Sequence, residues 1–278
     1  MLPAVTPPAP TPDIKLVAID LDGTLLNDRK EVADHVVEAI RGLPARGVRV
    51  VIASARPPRS VRHVYHRLGL DTWQINYNGA LIWDEAAKKP VAHRPMPGAL
   101  VRQVIEQARD LYDEVLVTCE ILDRWYTDKF DQTYTTETGR LFRPDVICPI
   151  DQFTGVPVTK LLLLGPPRMM DALEPVLAEA YREGLTVVRT DPELLQLMDK
   201  RVSKAVALRA VAKHYHVPMG QVMAIGDAPN DVGMLQLAGV GVAMANAHKV
   251  VKNVATWIAP SNNDHGVHAA LVRYGLCP

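Results

Sequence analysis

The chain carries no excess of charge. Its 31 Lys and Arg balance 31 Asp and Glu, for a formal net charge of zero. That composition disfavours a strongly basic nucleic-acid binder, though not a local basic patch. No apolar run approaches the ~18 to 20 residues of a membrane helix, so no membrane partner is expected. Cysteine is scarce: Cys119, Cys148 and Cys277 are the only three, none at CxxC spacing. They suggest neither a disulfide framework nor a zinc site. The first thirteen residues hold five prolines and no Lys or Arg, whereas a secretory leader opens basic and continues through an apolar run of ~7 to 15 residues. Residues 1–13 are therefore expected to be a disordered, Pro-rich tail, and the protein is expected in the cytoplasm.

What the chain does have is size and alternation. Its 278 residues, 48% of them hydrophobic, can bury a substantial core. Strands are expected at 15–20, 48–53 and 73–77, with helices at about 32–43 and 58–69 between them. The same alternation returns after Ser203, with a helix at 204–216 and strands at 221–225, 240–244 and 256–259. Strand–helix alternation of this kind belongs to a parallel sheet with helices packed on it. Between these stretches the pattern changes to a hairpin region at 84–97, a helix at 98–111, strands near 114–120 and 160–164, a helix to Gly184, and strands near 185–189 and 194–198. Residues 123–158 show little periodicity. The expected fold class is α/β: a Rossmann-like parallel-sheet core of residues 14–83 and 197–278, with an inserted α+β domain at 84–196.

Four motifs fall at the ends of expected strands or helices, where open α/β sheets bind ligands. Asp20-Leu21-Asp22-Gly23-Thr24 follows the first strand. Two carboxylates so close repel each other unless a cation or proton intervenes. Gly226-Asp227-Ala228-Pro229-Asn230-Asp231 adds two more after another strand, at a helix start that favours anions. Clustered carboxylates suit a hard, oxygen-seeking ion such as Mg²⁺. Ser54-Ala55-Arg56 offers a hydroxyl and backbone amides to a phosphate. Ser203-Lys204 places a cation at a helix N-terminus, unfavourable unless an anion sits beside it. Each motif alone has a plainer reading: an Asp-Gly turn, a helix cap, a Ser loop, a solvated Lys.

Taken in order, Asp20-x-Asp22-Gly23-Thr24, Ser54, Lys204 and Gly226-Asp227-x-x-Asn230-Asp231 resemble the four motifs of the haloacid dehalogenase-like (HAD) phosphatases. Asn78-Gly79-Ala80, Met234-Leu235, the run 243–247 and the run 261–267 resemble the Cof-type, IIB branch. The resemblance spans residues 14–278 and implies a HAD fold with a C2-type cap. It implies that Asp20 is the nucleophile, forming an aspartyl-phosphate, and that Asp22 is the general acid and base. Mg²⁺ would be held by Asp20, the Asp22 carbonyl and Asp227, with Asp231 supporting the metal or orienting Lys204. Ser54, the Ala55 amide, Lys204 and Asn230 would bind the phosphoryl group, with Arg56 and Asn78 near the substrate. The sequence departs from the family pattern at Ala55 and Ala205, where Gly is usual, and fills the variable pair of the fourth motif with Ala228-Pro229.

Spacing narrows the branch. Asp20 and Ser54 are 34 residues apart, room for one helix and one strand; Ser54 and Lys204 are 150 apart. An inserted cap therefore follows the third core strand. Arg124, Trp125, Tyr126 and the Thr-rich stretch 133–138 lie in it as candidate substrate contacts. The expected function is a Mg²⁺-dependent phosphatase of a small phosphorylated metabolite, a sugar phosphate or phosphorylated cofactor, acting as a monomer or weak homo-oligomer. The alternatives are a phosphomutase or dedicated sugar-phosphate phosphatase of a related capped family, or a non-catalytic binding module.

Overall fold

A computed structural model describes residues 13–131, 133, 140 and 142–278. The expected tail, Asp13 apart, and most of the Thr-rich stretch 133–138 lie outside the described residues. In chain order the main elements are β1 (Leu16–Ile19), α1 (Asp34–Gly42), β2 (Arg49–Ile52), α2 (Pro58–Arg67), β3 (Gln74–Asn76), β4 (Leu81–Asp84), β5 (Lys89–His93) and α3 (Gly98–Leu111). Then come β6 (Leu116–Ile121), β7 (Arg124–Thr127), β8 (Val146–Ile147), α4 (Ile150–Phe153), β9 (Lys160–Leu164), α5 (Pro167–Ala180), β10 (Leu185–Asp191) and β11 (Leu194–Asp199). The chain closes with α6 (Lys204–His214), β12 (Val222–Gly226), α7 (Val232–Leu237), β13 (Val240–Met244), α8 (Lys249–Lys252), β14 (Trp257–Ala259) and α9 (Gly266–Arg273). No helix among the described residues is long and apolar enough to cross a membrane.

The chain forms two compact units. One holds the described residues up to Ile52 together with Arg67–Thr72 and Leu208–Pro278; the other holds Ala53–His66 and Trp73–Ala207. The first unit is built on a five-stranded parallel sheet of order β14-β13-β12-β1-β2. Its central strands are unbroken apolar runs such as Leu16-Val-Ala-Ile19, buried at every residue, as a sheet covered on both faces requires. Ile19 pairs with Ile225, so the residues after β1 and after β12 leave the sheet at one edge. Those residues are Asp20 and Asp227.

The second unit contains a six-stranded sheet of order β10-β11-β9-β6-β7-β8, antiparallel except for the β7–β8 pair. Helices α3 and α5 cover one face through Val101, Ile105, Met170 and Leu173, packed with Cys119, Leu161 and Leu195 of the strands. A three-stranded antiparallel sheet, β3-β4-β5, completes it. All three cysteines are free, Cys119 and Cys277 buried.

The outcome is the α/β fold with an α+β cap that the motif order implied, with local differences. The expected third core strand, β3, pairs along its length with β4 instead of the five-stranded sheet, keeping one parallel bridge, Ala53 to Ile75. Its reason is the turn directly after β3. Tyr77, Asn78 and Gly79 all take positive φ (48°, 58° and 100°), which reverses the chain at once. The hairpin thus starts earlier than the expected 84–97. Helix α9 and the short β7, β8 and α4 carried too little periodicity to be expected.

Candidate active site

The first unit assembles the carboxylates. The Asp20 amide donates to Ile225 O (3.0 Å), extending the β1–β12 pairing by one residue. The chain then turns at Gly23, whose φ is +77° and whose absent Cβ would stand 2.4 Å from Asp227 Oδ2. Glycine is required there twice, for the backbone and for the approach. Asn246 Nδ2 donates to Gly23 O (2.7 Å) and Thr24 Oγ1 to Asp227 Oδ1 (3.0 Å), so the two acidic loops are tied by side chains remote in sequence.

Asp20, Asp227 and Asp231 each present a carboxylate oxygen, all within 4.8 Å of one another. Asp20 and Asp231 are buried and Asp227 half-buried. Asp231 also accepts the Asp227 and Ala228 amides on Oδ2 (3.0 Å each), so it caps its turn as well as facing its neighbours. Three converging carboxylates, two of them taken out of water, repel strongly unless a cation lies among them. Their all-oxygen donor set fits Mg²⁺ and gives no soft ligand for zinc or copper. The Asp22 carboxylate is outside this trio and is paired with Lys30 Nζ at 2.7 Å, partly exposed. Asn230 is exposed.

The second unit assembles Ser54, Ala55 and Lys204, all but Asn230 of the residues expected at the phosphoryl group, and does so through backbone. Ser54 is 1% exposed; its amide donates to Ile75 O (2.8 Å) and its carbonyl accepts from the Asn78 amide (3.0 Å). Ser54 Oγ accepts from the Arg56 amide (3.1 Å), closing the small loop that holds Ala55. The Arg56 carbonyl accepts from the Tyr77 amide (3.3 Å) and Asn76 Nδ2 (3.2 Å). Gly79 then packs on Ser203: a Cβ would lie 2.4 Å from the Ser203 carbonyl oxygen. Ser203 Oγ caps α6 by accepting the Val206 amide (3.1 Å). Lys204, the first residue of α6, is 1% exposed despite its charge. Ser54, Asn78 and Ser203-Lys204 are thus drawn together by one turn.

Sequence reasoning assigned no role to Thr24, Lys30 or Asn246. Thr24 was within the quoted motif, but its partner Asp227 is 203 positions away. Asn246 likewise lay in the quoted run 243–247 with no partner named, and nothing local marks Lys30.

Comparison with known proteins follows the same lines. The family profile of the haloacid dehalogenase-like hydrolases matches residues 17–271. The Bacillus subtilis 5-amino-6-(5-phospho-D-ribitylamino)uracil phosphatase YcsE is 30% identical over 265 residues, 95% of this chain and 97% of that protein. The crystal structure of a haloacid dehalogenase-like hydrolase from Bacteroides thetaiotaomicron matches with a TM-score of 0.83 at 28% identity, over 94% of this chain and 99% of that one. The subclass IIB sugar phosphatase BT4131 shares the fold, with a TM-score of 0.76 at 18% identity over 94% of this chain and 99% of its own. With a carboxylate trio at a sheet edge and a family match across nearly its whole length, the chain belongs to the haloacid dehalogenase-like hydrolases, among their Cof-type phosphatases.

Proposed function

We propose that the protein is a Mg²⁺-dependent phosphatase of a small phosphorylated metabolite, working through a phosphoryl group carried on Asp20. The convergence of Asp20, Asp227 and Asp231 within 4.8 Å carries this reading. In it, an Asp20 oxygen attacks phosphorus as the ester oxygen leaves, and that oxygen takes a proton from Asp22. A water then attacks the acyl phosphate and gives a proton back to Asp22, releasing phosphate and restoring Asp20. Two easier steps replace one hard one. Asp20, the Asp22 carbonyl and Asp227 would hold the ion, with Asp231 behind them. When bound, Mg²⁺ supplies positive charge against the phosphoryl oxygens and the carboxylates. Ser54, the Ala55 amide, Lys204 and Asn230 bind those oxygens, and Arg56 and Asn78 stand next to the substrate. Ala55 keeps the amide that this role needs.

Residues 84–196 serve as the cap that covers the substrate and excludes water and large partners. That favours a small phosphorylated molecule over a folded protein or nucleic acid. The name of YcsE, a phosphatase of a ribityl phosphate bearing a uracil ring, supports a small phosphorylated metabolite of the sugar-phosphate kind. The protein is proposed to act in the cytoplasm, as a monomer or weak homo-oligomer.

The deciding experiment is turnover of a generic aryl phosphate, followed by a panel of phosphorylated metabolites. Activity should vanish in excess chelator and return with Mg²⁺. A rate indifferent to chelation would remove the metal from the reading, and a folded protein without turnover in Mg²⁺ would leave only a binding module.

A further inference from the structure

One ionic cluster in the second unit has no part in the proposed chemistry. Helix α2 starts at Pro58, four residues after Ser54. From its first turn, Arg59 Nη2 donates to both oxygens of Glu120 (2.6 and 2.8 Å), and the Arg59 amide donates to Asp123 Oδ1 (2.7 Å). Arg62 Nη2 holds the other Asp123 oxygen (2.8 Å). On the far side of the Ser54 loop, the Tyr77 hydroxyl donates to Leu122 O (2.8 Å) and lies 3.1 Å from Glu120 Oε2. The Tyr77 amide meanwhile donates to Arg56 O. Glu120 belongs to β6, and Leu122 and Asp123 follow that strand. One strand end of the six-stranded sheet therefore grips both flanks of residues 54–57.

The grip is poorly explained as a source of stability. The Arg59 and Glu120 side chains keep only 8% and 6% of their exposure, and a buried pair recovers its desolvation cost only when every donor is satisfied. Among the described residues, Arg59 Nε and Nη1 are buried without a hydrogen-bond partner; Nη1 comes no nearer to Asp123 Oδ1 than 3.8 Å. Tyr77 adds a left-handed backbone, φ +48°, at a fully buried aromatic, a conformation of the kind retained where surrounding structure imposes it. What such an arrangement supplies is a single geometry.

We propose that Arg59, Tyr77, Glu120 and Asp123 are positioning residues, which key the Ser54–Arg56 loop to the six-stranded sheet and so set the placement of the phosphoryl-binding groups. The proposal rests on the phosphatase reading for what the loop binds. It makes the cap's own sheet a determinant of phosphate affinity without any cap side chain touching phosphate.

The test uses the full chain with Tyr77→Phe, which removes one hydroxyl, and Glu120→Gln, which keeps the side chain's shape. Two readouts are needed. Hydrogen exchange of the amides at 77 and 78 reports the loop bonds directly; both variants should speed it about tenfold, with the mutually bonded Met96 and Val158 amides unchanged. Inhibition of aryl phosphate turnover by inorganic phosphate, and KM, should weaken about tenfold with a much smaller change in kcat. In a Ser54→Ala background that weakening should largely disappear, because a positioning residue acts through the group it positions. Unchanged exchange at 77 and 78, unchanged phosphate inhibition, or the same loss of inhibition with and without Ser54 would each overturn the proposal. A wild-type protein that turns over no aryl phosphate would instead defeat the phosphatase reading beneath it, while the exchange data would still report the mechanical link.

Discussion

The two units arrange their candidate residues by opposite means. In the first, side chains do the work: Asp20, Asp227 and Asp231 converge from strand ends held level by the pairing of Ile19 with Ile225. In the second, backbone does it: Ser54, Asn78 and Ser203 are joined through carbonyls, amides and a glycine contact, with Tyr77 reversing the chain between them. The first arrangement concentrates like charge, which repels unless a cation offsets it. The second is a set of satisfied turns whose function depends on their geometry being kept. Damage to the first should therefore appear mainly in turnover, and damage to the second in folding and in phosphate binding.

The largest effect expected is at Asp20. Asp20→Asn leaves an amide that cannot act as the nucleophile, and turnover should fall by about 10⁴ or more. Its folding should be untouched or improved, since one of three mutually repelling carboxylates is gone. Steady-state hydrolysis at a tenth of the wild-type rate would break the comparison on its chemical side.

Gly79→Ala and Gly23→Ala test the contrast in a matched pair. Both positions have positive φ, and at both a Cβ would meet an oxygen at 2.4 Å. At Gly79 the obstacle is the Ser203 carbonyl, fixed at the head of α6; at Gly23 it is the tip of a side chain, Asp227. Backbone strain of ~1–2 kcal/mol is common to both. Overpacking against fixed backbone adds roughly 1–3 kcal/mol at Gly79, whereas Asp227 can swing away. Denaturant unfolding should show Gly79→Ala to be the less stable variant, and metal affinity should show Gly23→Ala to be the more impaired. Equal stability losses would mean that the two halves yield alike.

The contrast also governs how much of the site was legible in the sequence. The carboxylate half announces itself, because chemistry-bearing residues sit in short windows such as 20–24 and 226–231 directly after apolar runs. Its assembly was inferable too, since parallel strands must end at a common edge. The backbone half was only half legible. Ser54 and Lys204 could be named, but the turn that joins them depends on left-handed Tyr77, a bulky aromatic with no turn preference, followed by Asn78-Gly79. The reading of 73–77 as a core strand failed to anticipate how abruptly that turn redirects the chain. Arg59 and Glu120, 61 residues apart, leave no local trace at all, because an ion pair across strands and helices is a property of packing.

Metal removal gives a smaller effect, read without turnover. In chelator, Asp227→Asn should melt above the wild type by an amount worth ~1 kcal/mol, because a neutral amide still accepts the Thr24 hydroxyl while one repulsion is lost. Added Mg²⁺ should raise the wild-type melting temperature and move the variant little, reversing their order. If the wild type is the more stable protein in chelator, the three carboxylates are not under the mutual strain that their spacing implies.

An effect of similar size concerns charge that the second unit buries away from its turns. Lys160 pairs across the sheet with Glu120. Burial pushes its ammonium down from 10.5 to about 8, a shift that the Glu120 charge only partly opposes. A lysine whose native pKa lies below its unfolded value is a liability while it is protonated in both states. Between about pH 8 and 10.5 the unfolded chain binds more protons than the native one, so stability rises with pH across that window. Lys160→Met should thus be more stable than wild type at pH 7, by on the order of 1–3 kcal/mol. The lower end of that range applies if Glu120 misses the second cation, since Arg59 alone would then neutralise it. The advantage should shrink as pH climbs toward 10, as the wild-type lysine sheds the proton that burial penalises. An advantage that stayed constant over this range would show that Lys160 is not titrating there, and that the second unit accommodates its buried charge as easily as its turns.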